Sequence, residues 1–260
     1  MSIELRHEDR IAILTINRPE ALNALSSALL EEFRSELHAI SRDENVGCLI
    51  LTGAGEKAFI AGADIAEMAT KTPLEARAYA ELGQECANLL ETMRAPTIAA
   101  VNGYALGGGS EMALACDIRL CSENAVFGQP EVDFGIMPGW GASQRLARTT
   151  SIGFAKELIF TGRRVKADEA LARGLAQHVV PLEELMPKAI EMANVIASKS
   201  PVSIAYAKEA TNRALAGDLA TNYMVEADLF SILFSTEDAK EGLRAFTEKR
   251  KPDFRKYFNT

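Results

Sequence analysis

The chain has 260 residues, 48% of them apolar and 25% charged, with a formal net charge of −8 at pH 7. That length and apolar content suit one large globular domain or a core with an appendage. The acidic balance, with no basic block, argues against nucleic acid or an anionic membrane surface as the main partner. The first ten residues, M-S-I-E-L-R-H-E-D-R, carry neither a secretory apolar region nor an Arg- and Ser-rich transit pattern. No apolar run is long enough to span a bilayer. A cytoplasmic protein, or the mature form of a mitochondrial one, is expected. Cys48, Cys86, Cys116 and Cys121 form no C-x-x-C pair, and His7, His38 and His178 adjoin no motif, so neither zinc nor a disulfide framework is expected.

Taken in chain order, Ile3–His7 and Ile11–Asn17 alternate apolar and polar around Glu8-Asp9-Arg10 and read as a hairpin ended by Arg18-Pro19. Ser26 is an N-cap for a helix to about Ser41, whose buried stripe is Leu29, Leu30, Phe33, Leu37 and Ile40. Val46–Thr52 is nearly all apolar, which suggests a strand covered on both faces. Gly53-Ala54-Gly55-Glu56-Lys57-Ala58 imitates a dinucleotide fingerprint, but Phe59–Asp64 does not supply the amphipathic helix such a turn must open. Ile60–Asp64 reads instead as an extended small-residue segment whose backbone can touch a ligand. Thr72-Pro73-Leu74-Glu75 combines an N-cap, a first-turn proline and a capping-box acid, and predicts a helix to about Met93, stopped at Ala95-Pro96.

The stretch from Thr97 to Pro138 organises the rest. Thr97–Val101 predicts a buried strand, Asn102-Gly103 breaks it, and Gly107-Gly108-Gly109 lets backbone approach something closely. Ser110–Cys116 predicts a helix, whose first amides lack internal partners and favour negative charge. A site that stabilises an oxyanion needs such donors. Two acids sit here, Glu111 at the helix start and Glu131 after Gln129-Pro130. In apolar, glycine-rich surroundings one could hold a proton while the other stays ionised, so that together they polarise water and protonate carbon. Equally, Glu111 could complement its own helix dipole and Glu131 could be a surface acid.

Helices are expected over 151–160, 167–173 and 182–197, with a short strand at 176–180. Beyond Ser200-Pro201 the chain reads as helix throughout, about 201–216, 218–234 and 236–247. Phe230, Leu233, Phe234, Leu243 and Phe246 would leave a large apolar area on a monomer, which points to an interface.

The run N-G-Y-A-L-G-G-G-S-E (Asn102–Glu111) followed by F-G-Q-P-E-V-D-F-G-I-M-P-G (Phe127–Gly139) resembles the signature of the crotonase, or enoyl-CoA hydratase/isomerase, superfamily. K-A-F-I-A-G-A-D-I-A-E-M (Lys57–Met68) and the tail Ser235–Phe254 resemble its other landmarks, so the resemblance spans essentially the whole chain, closest to the short-chain hydratases. It implies an α/β fold, a crotonase-like spiral of ββα units over residues 1–199, with a C-terminal helical trimerisation region at 200–260. It implies reversible addition of water to a short-chain trans-2-enoyl-CoA, as in β-oxidation. In that scheme the Ala63 and Gly108 amides form an oxyanion hole, Glu111 activates water and Glu131 protonates C2. No metal and no cofactor beyond the CoA of the substrate is implied, and no nucleic-acid or membrane partner. The implied assembly is a homotrimer or a homohexamer made as a dimer of trimers.

Along the implied CoA and acyl path lie Arg18, Leu22, Lys57, Ala61, Asp64, Ile65, Gly107, Pro130, Gly139 and Trp140, with Phe246 and Lys249 lent by a neighbouring subunit. Asp64 would cap the next turn. Asn23 keeps the family pattern at the CoA edge, or serves turn chemistry. Trp140 stands where the family has a small residue or Phe, so it either shortens the acyl pocket or packs in the core. Lys249 either meets CoA or is a solvated tail lysine. Gly141-Ala142-Ser143 replaces the family's G-G-T and keeps small size and a hydroxyl. The sister reactions, isomerase, hydrolase, decarboxylase or ring enoyl-CoA hydratase, commonly lack one of the two glutamates, and no G-x-S-x-G elbow is present. An RNA-binding or non-catalytic relative is disfavoured because the 72–93 helix sets Glu75, Glu81, Glu85 and Glu91 against Arg77 and Arg94.

Overall fold

A computed structural model describes residues 2–254. Two sheets are built by alternation. Strands β1 (Ile3–Glu8), β2 (Ile11–Ile16), β3 (Cys48–Gly53), β5 (Thr97–Val101), β7 (Ile118–Ser122) and β10 (His178–Val180) make a six-stranded sheet in that order. It is parallel throughout after the antiparallel β1–β2 hairpin. Strands β4 (Ala58–Ile60), β6 (Tyr104–Leu106), β8 (Val126–Gly128) and β9 (Arg164–Lys166) make a second sheet, parallel from β4 to β8 and closed by antiparallel β9. The chain places β3, β5 and β7 in the first sheet and crosses at once to β4, β6 and β8 in the second. Helical segments return it after the first two crossings: α2 (Ile65–Met68) and α3 (Pro73–Thr92), then α4 (Gly108–Ala115); after β8 a 3₁₀ turn at Pro130–Phe134 and α5 (Ala142–Thr149) precede β9, and only then does the chain reach β10. This is the ββα spiral that the resemblance implies.

Strand composition follows from the layers. In β2, Ala12, Leu14 and Ile16 face the main core with α1 (Ser27–Arg42) and α3, while Ile11 and Ile13 face α8 (Leu182–Ala197). The same alternation places Leu49, Leu51, Ala99 and Val101 in the main core and Cys48, Ile50, Ile98 and Ala100 under α8, whose Leu185, Ala189 and Ala193 cover them. Both faces are buried, so the strands read as continuous apolar runs. The predicted caps form: Ser26 accepts from the Leu29 amide, and Thr72 and Glu75 make the reciprocal capping box.

Three expectations shift. The helix expected from Ser110 begins at Gly108, because Gly107, at φ +49°, turns the chain directly into it. The strand expected at 176–180 pairs only over His178–Val180, since the Ala176 and Gln177 amides are taken by the Ala170 and Arg119 carbonyls. The helix expected to 216 ends at Asn212 in a 3₁₀ turn, Arg213–Leu215.

Past α6 (Ile152–Thr161) and α7 (Ala167–Ala172), the chain ends in α9 (Pro201–Asn212), α10 (Leu219–Leu233) and α11 (Glu237–Thr247). Lys208 docks α9 on the core, 2.8 Å from Asp117 and bonded to the Leu90 and Ala95 carbonyls. Helix α10 buries no residue, and Leu219, Tyr223, Met224, Phe230 and Ile232 are exposed. Residues 255–260 of the expected helical region lie outside the described residues. No helix among the described residues is long and apolar enough to cross a membrane.

Candidate active site

The carboxyl ends of three adjacent parallel strands, β4, β6 and β8, converge on one place. Ligand sites of parallel sheets form at such ends, where backbone leaves the ladder with free groups. Beyond β4, residues 61–64 run beside Leu25. The Leu25 amide donates to the Gly62 carbonyl and the Leu25 carbonyl accepts from the Asp64 amide, both at 2.9 Å. In this parallel bridge Leu25 uses both its groups on the neighbours of Ala63, which turns the Ala63 N–H the other way. Asp64 then caps α2 by accepting from the Glu67 amide, as expected.

Beyond β6, Gly107 enters α4, and the Gly108 amide is the first of a helix and has no partner inside it. The glycines here are steric necessities. A Cβ on Gly109 would lie 1.8 Å from the Ile60 carbonyl oxygen, one on Gly108 2.0 Å from the Trp140 ring, and one on Gly107 2.6 Å from Glu131 Oε1. Strand β4, the head of α4, the tryptophan and the second acid therefore press on three consecutive residues.

Glu111, the fourth residue of α4, is 2% exposed. Its Oε1 accepts from the backbone amides of Trp140, at 2.8 Å, and Ala142, at 2.9 Å. Burial raises its pKa above the ordinary carboxylate value, against the pull of the Ala142, Trp140 and Gly141 amides. Glu131 sits beyond β8 in the 3₁₀ turn opened by Pro130. Burial first, and the charge of Glu111 second, push it up to about 7. The fully buried Gln129 bridges to it. In the amide orientation that satisfies both neighbours, its nitrogen donates to Glu131 Oε1 and Oε2 at 3.3 and 3.2 Å, and its oxygen accepts from Ser110 Oγ at 3.2 Å. Glu131, half-buried against Gly107 and Gln129, is not a freely solvated surface acid, and Glu111 is enclosed at its helix start.

The other anticipated positions divide. Leu22 and Lys57 share the wall of a cavity of about 350 Å³ with Pro19 and Gly55. Arg18 is committed to Asp64 at 3.2 Å and to the Ala24 carbonyl. Asn23 is fully buried at φ +60°; its Oδ1 accepts the Arg18 amide at 2.9 Å within its own turn, and its side-chain amide donates across to the Ala54 and Ala58 carbonyls. The Ala61 amide donates to the Leu22 carbonyl, Ile65 is half exposed on α2, and the Gly139 carbonyl accepts from Gln84. Trp140 is 4% exposed, lies on Gly108 and Gly83, and meets Tyr79 edge-on at 5.4 Å, so it is packed in the core and also forms the backing of Gly108. Phe246 and Lys249 lie on and just after α11, exposed in this chain. Sequence reasoning missed Gln129, although it stands inside the quoted F-G-Q-P-E run, and missed Gly83, whose only signal was a glycine inside a strong helix pattern.

The sequence profile of the enoyl-CoA hydratase/isomerase family matches residues 6–257. The chain is 50% identical over 250 residues, 96% of each protein, to a short-chain-enoyl-CoA hydratase of Clostridium acetobutylicum. It is 46% identical over 253 residues, 97% of each, to a crotonyl-CoA hydratase of Syntrophomonas wolfei. Its fold superposes on the crystal structure of an enoyl-CoA hydratase from Bacillus anthracis with a TM-score of 0.95, at 42% identity and covering 98% of this chain and 99% of the other. With the family profile and these relatives matching nearly the whole chain, and the fold superposing over nearly all of it, the chain belongs to the enoyl-CoA hydratase/isomerase family.

Proposed function

We propose that this protein is an enoyl-CoA hydratase that adds water reversibly to short-chain trans-2-enoyl-CoA thioesters, crotonyl-CoA above all. The observation that carries the reading is the convergence, at three adjacent strand ends, of two outward amides and two carboxylates, Glu111 and Glu131, whose burial raises both pKa values. The thioester oxygen lies at the Ala63 and Gly108 amides, which stabilise the negative charge it gains as water adds at C3. Glu111, oriented by the Trp140 and Ala142 amides, takes the proton of the attacking water. Glu131, protonated, delivers its proton to C2. One C–O and one C–H bond form, the C2–C3 π bond is lost, and the pair ends with its single proton moved from Glu131 to Glu111. The step balances with CoA as part of the substrate and with no metal or redox group.

The cavity beside Leu22 and Lys57, with a lysine ammonium at its edge, suits the phosphorylated part of CoA. Trp140, lying against Gly108, limits the space for an acyl chain whose carbonyl sits at that residue. The unburied α10 and the exposed Phe246 support assembly as a trimer or a hexamer, with Phe246 and Lys249 reaching a neighbour's CoA. The four buried, unpaired cysteines suit a reducing, cytoplasmic setting. In D₂O, the reading predicts that crotonyl-CoA yields 3-hydroxybutyryl-CoA carrying one deuterium at C2. A deconjugated 3-enoyl product, or free CoA, would replace hydration with isomerase or hydrolase chemistry.

A further inference from the structure

The two outward amides sit on different elements, and nothing in either motif explains how their spacing is held. One buried side chain touches the neighbour that backs each of them. Tyr79, on α3, is 4% exposed. Its hydroxyl donates to the Leu25 carbonyl at 2.6 Å, the same carbonyl that accepts the Asp64 amide in the bridge presenting Ala63. Its ring meets Trp140 edge-on at 5.4 Å and an interplanar angle of 71°. Trp140 in turn lies so close on Gly108 that a Cβ there would be 2.0 Å from the indole. Tyr79 itself is held from outside: the Lys71 ammonium sits 4.7 Å over its ring, fixed by Glu67 at 2.6 Å and by Ser27 Oγ at 3.0 Å.

Resting on the reading of Ala63 and Gly108 as an oxyanion hole, we propose that Tyr79 is the positioning residue that sets its spacing. The hydroxyl fixes the strand behind Ala63, and the ring, through Trp140, fixes the helix start behind Gly108. Tyr79 does not touch substrate. Its phenol stays protonated, because burial and the Glu67 charge push its pKa up, against the Asp64 amide. The donor role at Leu25 is therefore independent of pH over the working range. Catalysis of this kind is sensitive to displacements well under 1 Å, so loss of one brace is felt at the donors before it is felt in the fold.

The test uses acetoacetyl-CoA, a short 3-ketoacyl thioester whose C2 proton is acidic and whose enolate absorbs in the near ultraviolet. Donors at the thioester oxygen favour the enolate, so the apparent pKa of the bound ligand reads the oxyanion hole directly. In Tyr79→Phe, which keeps the ring against Trp140, the bound enolisation pKa should rise by about 0.5–1 unit, and kcat for crotonyl-CoA should fall about three- to tenfold with KM within about twofold. Lys71→Met, which removes the cation seated on the ring together with its bonds to Glu67 and Ser27 and leaves Tyr79 itself intact, should move both readouts the same way by a smaller factor, and serves if Tyr79→Phe does not fold. Wild-type enolisation and kcat in these variants would overturn the brace. A wild-type protein that neither hydrates crotonyl-CoA nor binds the enolate would overturn the reading beneath it, and the brace with it.

Discussion

Glu131 carries the sharpest pH signature at the scale of single residues. In the proposed mechanism hydration starts with the proton on Glu131 and dehydration with it on Glu111. Both start from a pair holding one proton, so the two directions must share one bell-shaped kcat/KM profile. Its alkaline limb marks loss of that proton, near pH 7 by the Glu131 value. Initial rates with crotonyl-CoA and with 3-hydroxybutyryl-CoA across pH 5–9 check this, and alkaline limbs that differ between directions would contradict it. The same shift has a stability consequence. A carboxyl whose folded pKa lies above its unfolded one stabilises the fold fully below the unfolded value and loses that contribution as pH rises through the folded value. The window here runs from the ordinary glutamate value of 4.5 to about 7. Glu131→Gln removes a charge the fold holds reluctantly, so at pH 8 the variant should be more stable by about 1–3 kcal/mol, with little gain at pH 4. Thermal melts at the two pH values check the sign. Trp140 is legible in sequence only as an anomaly. Its contacts with Gly83, Gly108 and Tyr79 require coordinates. Trp140→Phe should keep the fold and shift the ratio of kcat/KM for octenoyl- over crotonyl-CoA upward about threefold or more, since a smaller ring frees space worth one or two methylenes.

At the scale of elements, legibility followed length and period. The helices at Ser27–Arg42 and Pro73–Thr92 announced themselves by their caps, the first also by its apolar stripe, and the central strands Cys48–Gly53 and Thr97–Val101 by apolar runs. The second sheet did not, because three-residue strands such as Tyr104–Leu106 and Val126–Gly128 are too short for any periodicity to register. Yet those strands deliver the site. Residue patterns named Glu111, Glu131, Ala63 and Gly108 as a set through resemblance, whereas the reason they meet, a common sheet edge, appeared only in three dimensions. Gly83 shows the same limit. A glycine inside a 20-residue helix costs about 1 kcal/mol against alanine. Here a Cβ would stand 2.3 Å from the Trp140 indole. Gly83→Ala should therefore destabilise, by about 1–3 kcal/mol, where propensity alone predicts a gain. Denaturant midpoints decide between the two signs.

At the scale of the molecule, the C-terminal helices carry apolar surface that the rest of the chain leaves uncovered. Lys208 ties α9 to the core, but α10 leaves Phe230, Ile232 and Phe234 in solvent and α11 leaves Phe246 84% exposed. Phe230→Asp should shift the protein in size-exclusion light scattering from trimer or hexamer toward monomer, since a charge buried in an apolar interface is costly. The proposed reaction requires the two carboxylates to work as a pair on an enoyl thioester. The most direct measurement is the loss of conjugated enoyl-thioester absorbance with crotonyl-CoA, for wild type, Glu111→Gln and Glu131→Gln, each shown folded by circular dichroism. Rapid loss in wild type, reduced at least about 10²-fold in both variants, is the predicted result. An unreactive wild type, or a variant of either glutamate that hydrates at the wild-type rate, would contradict it.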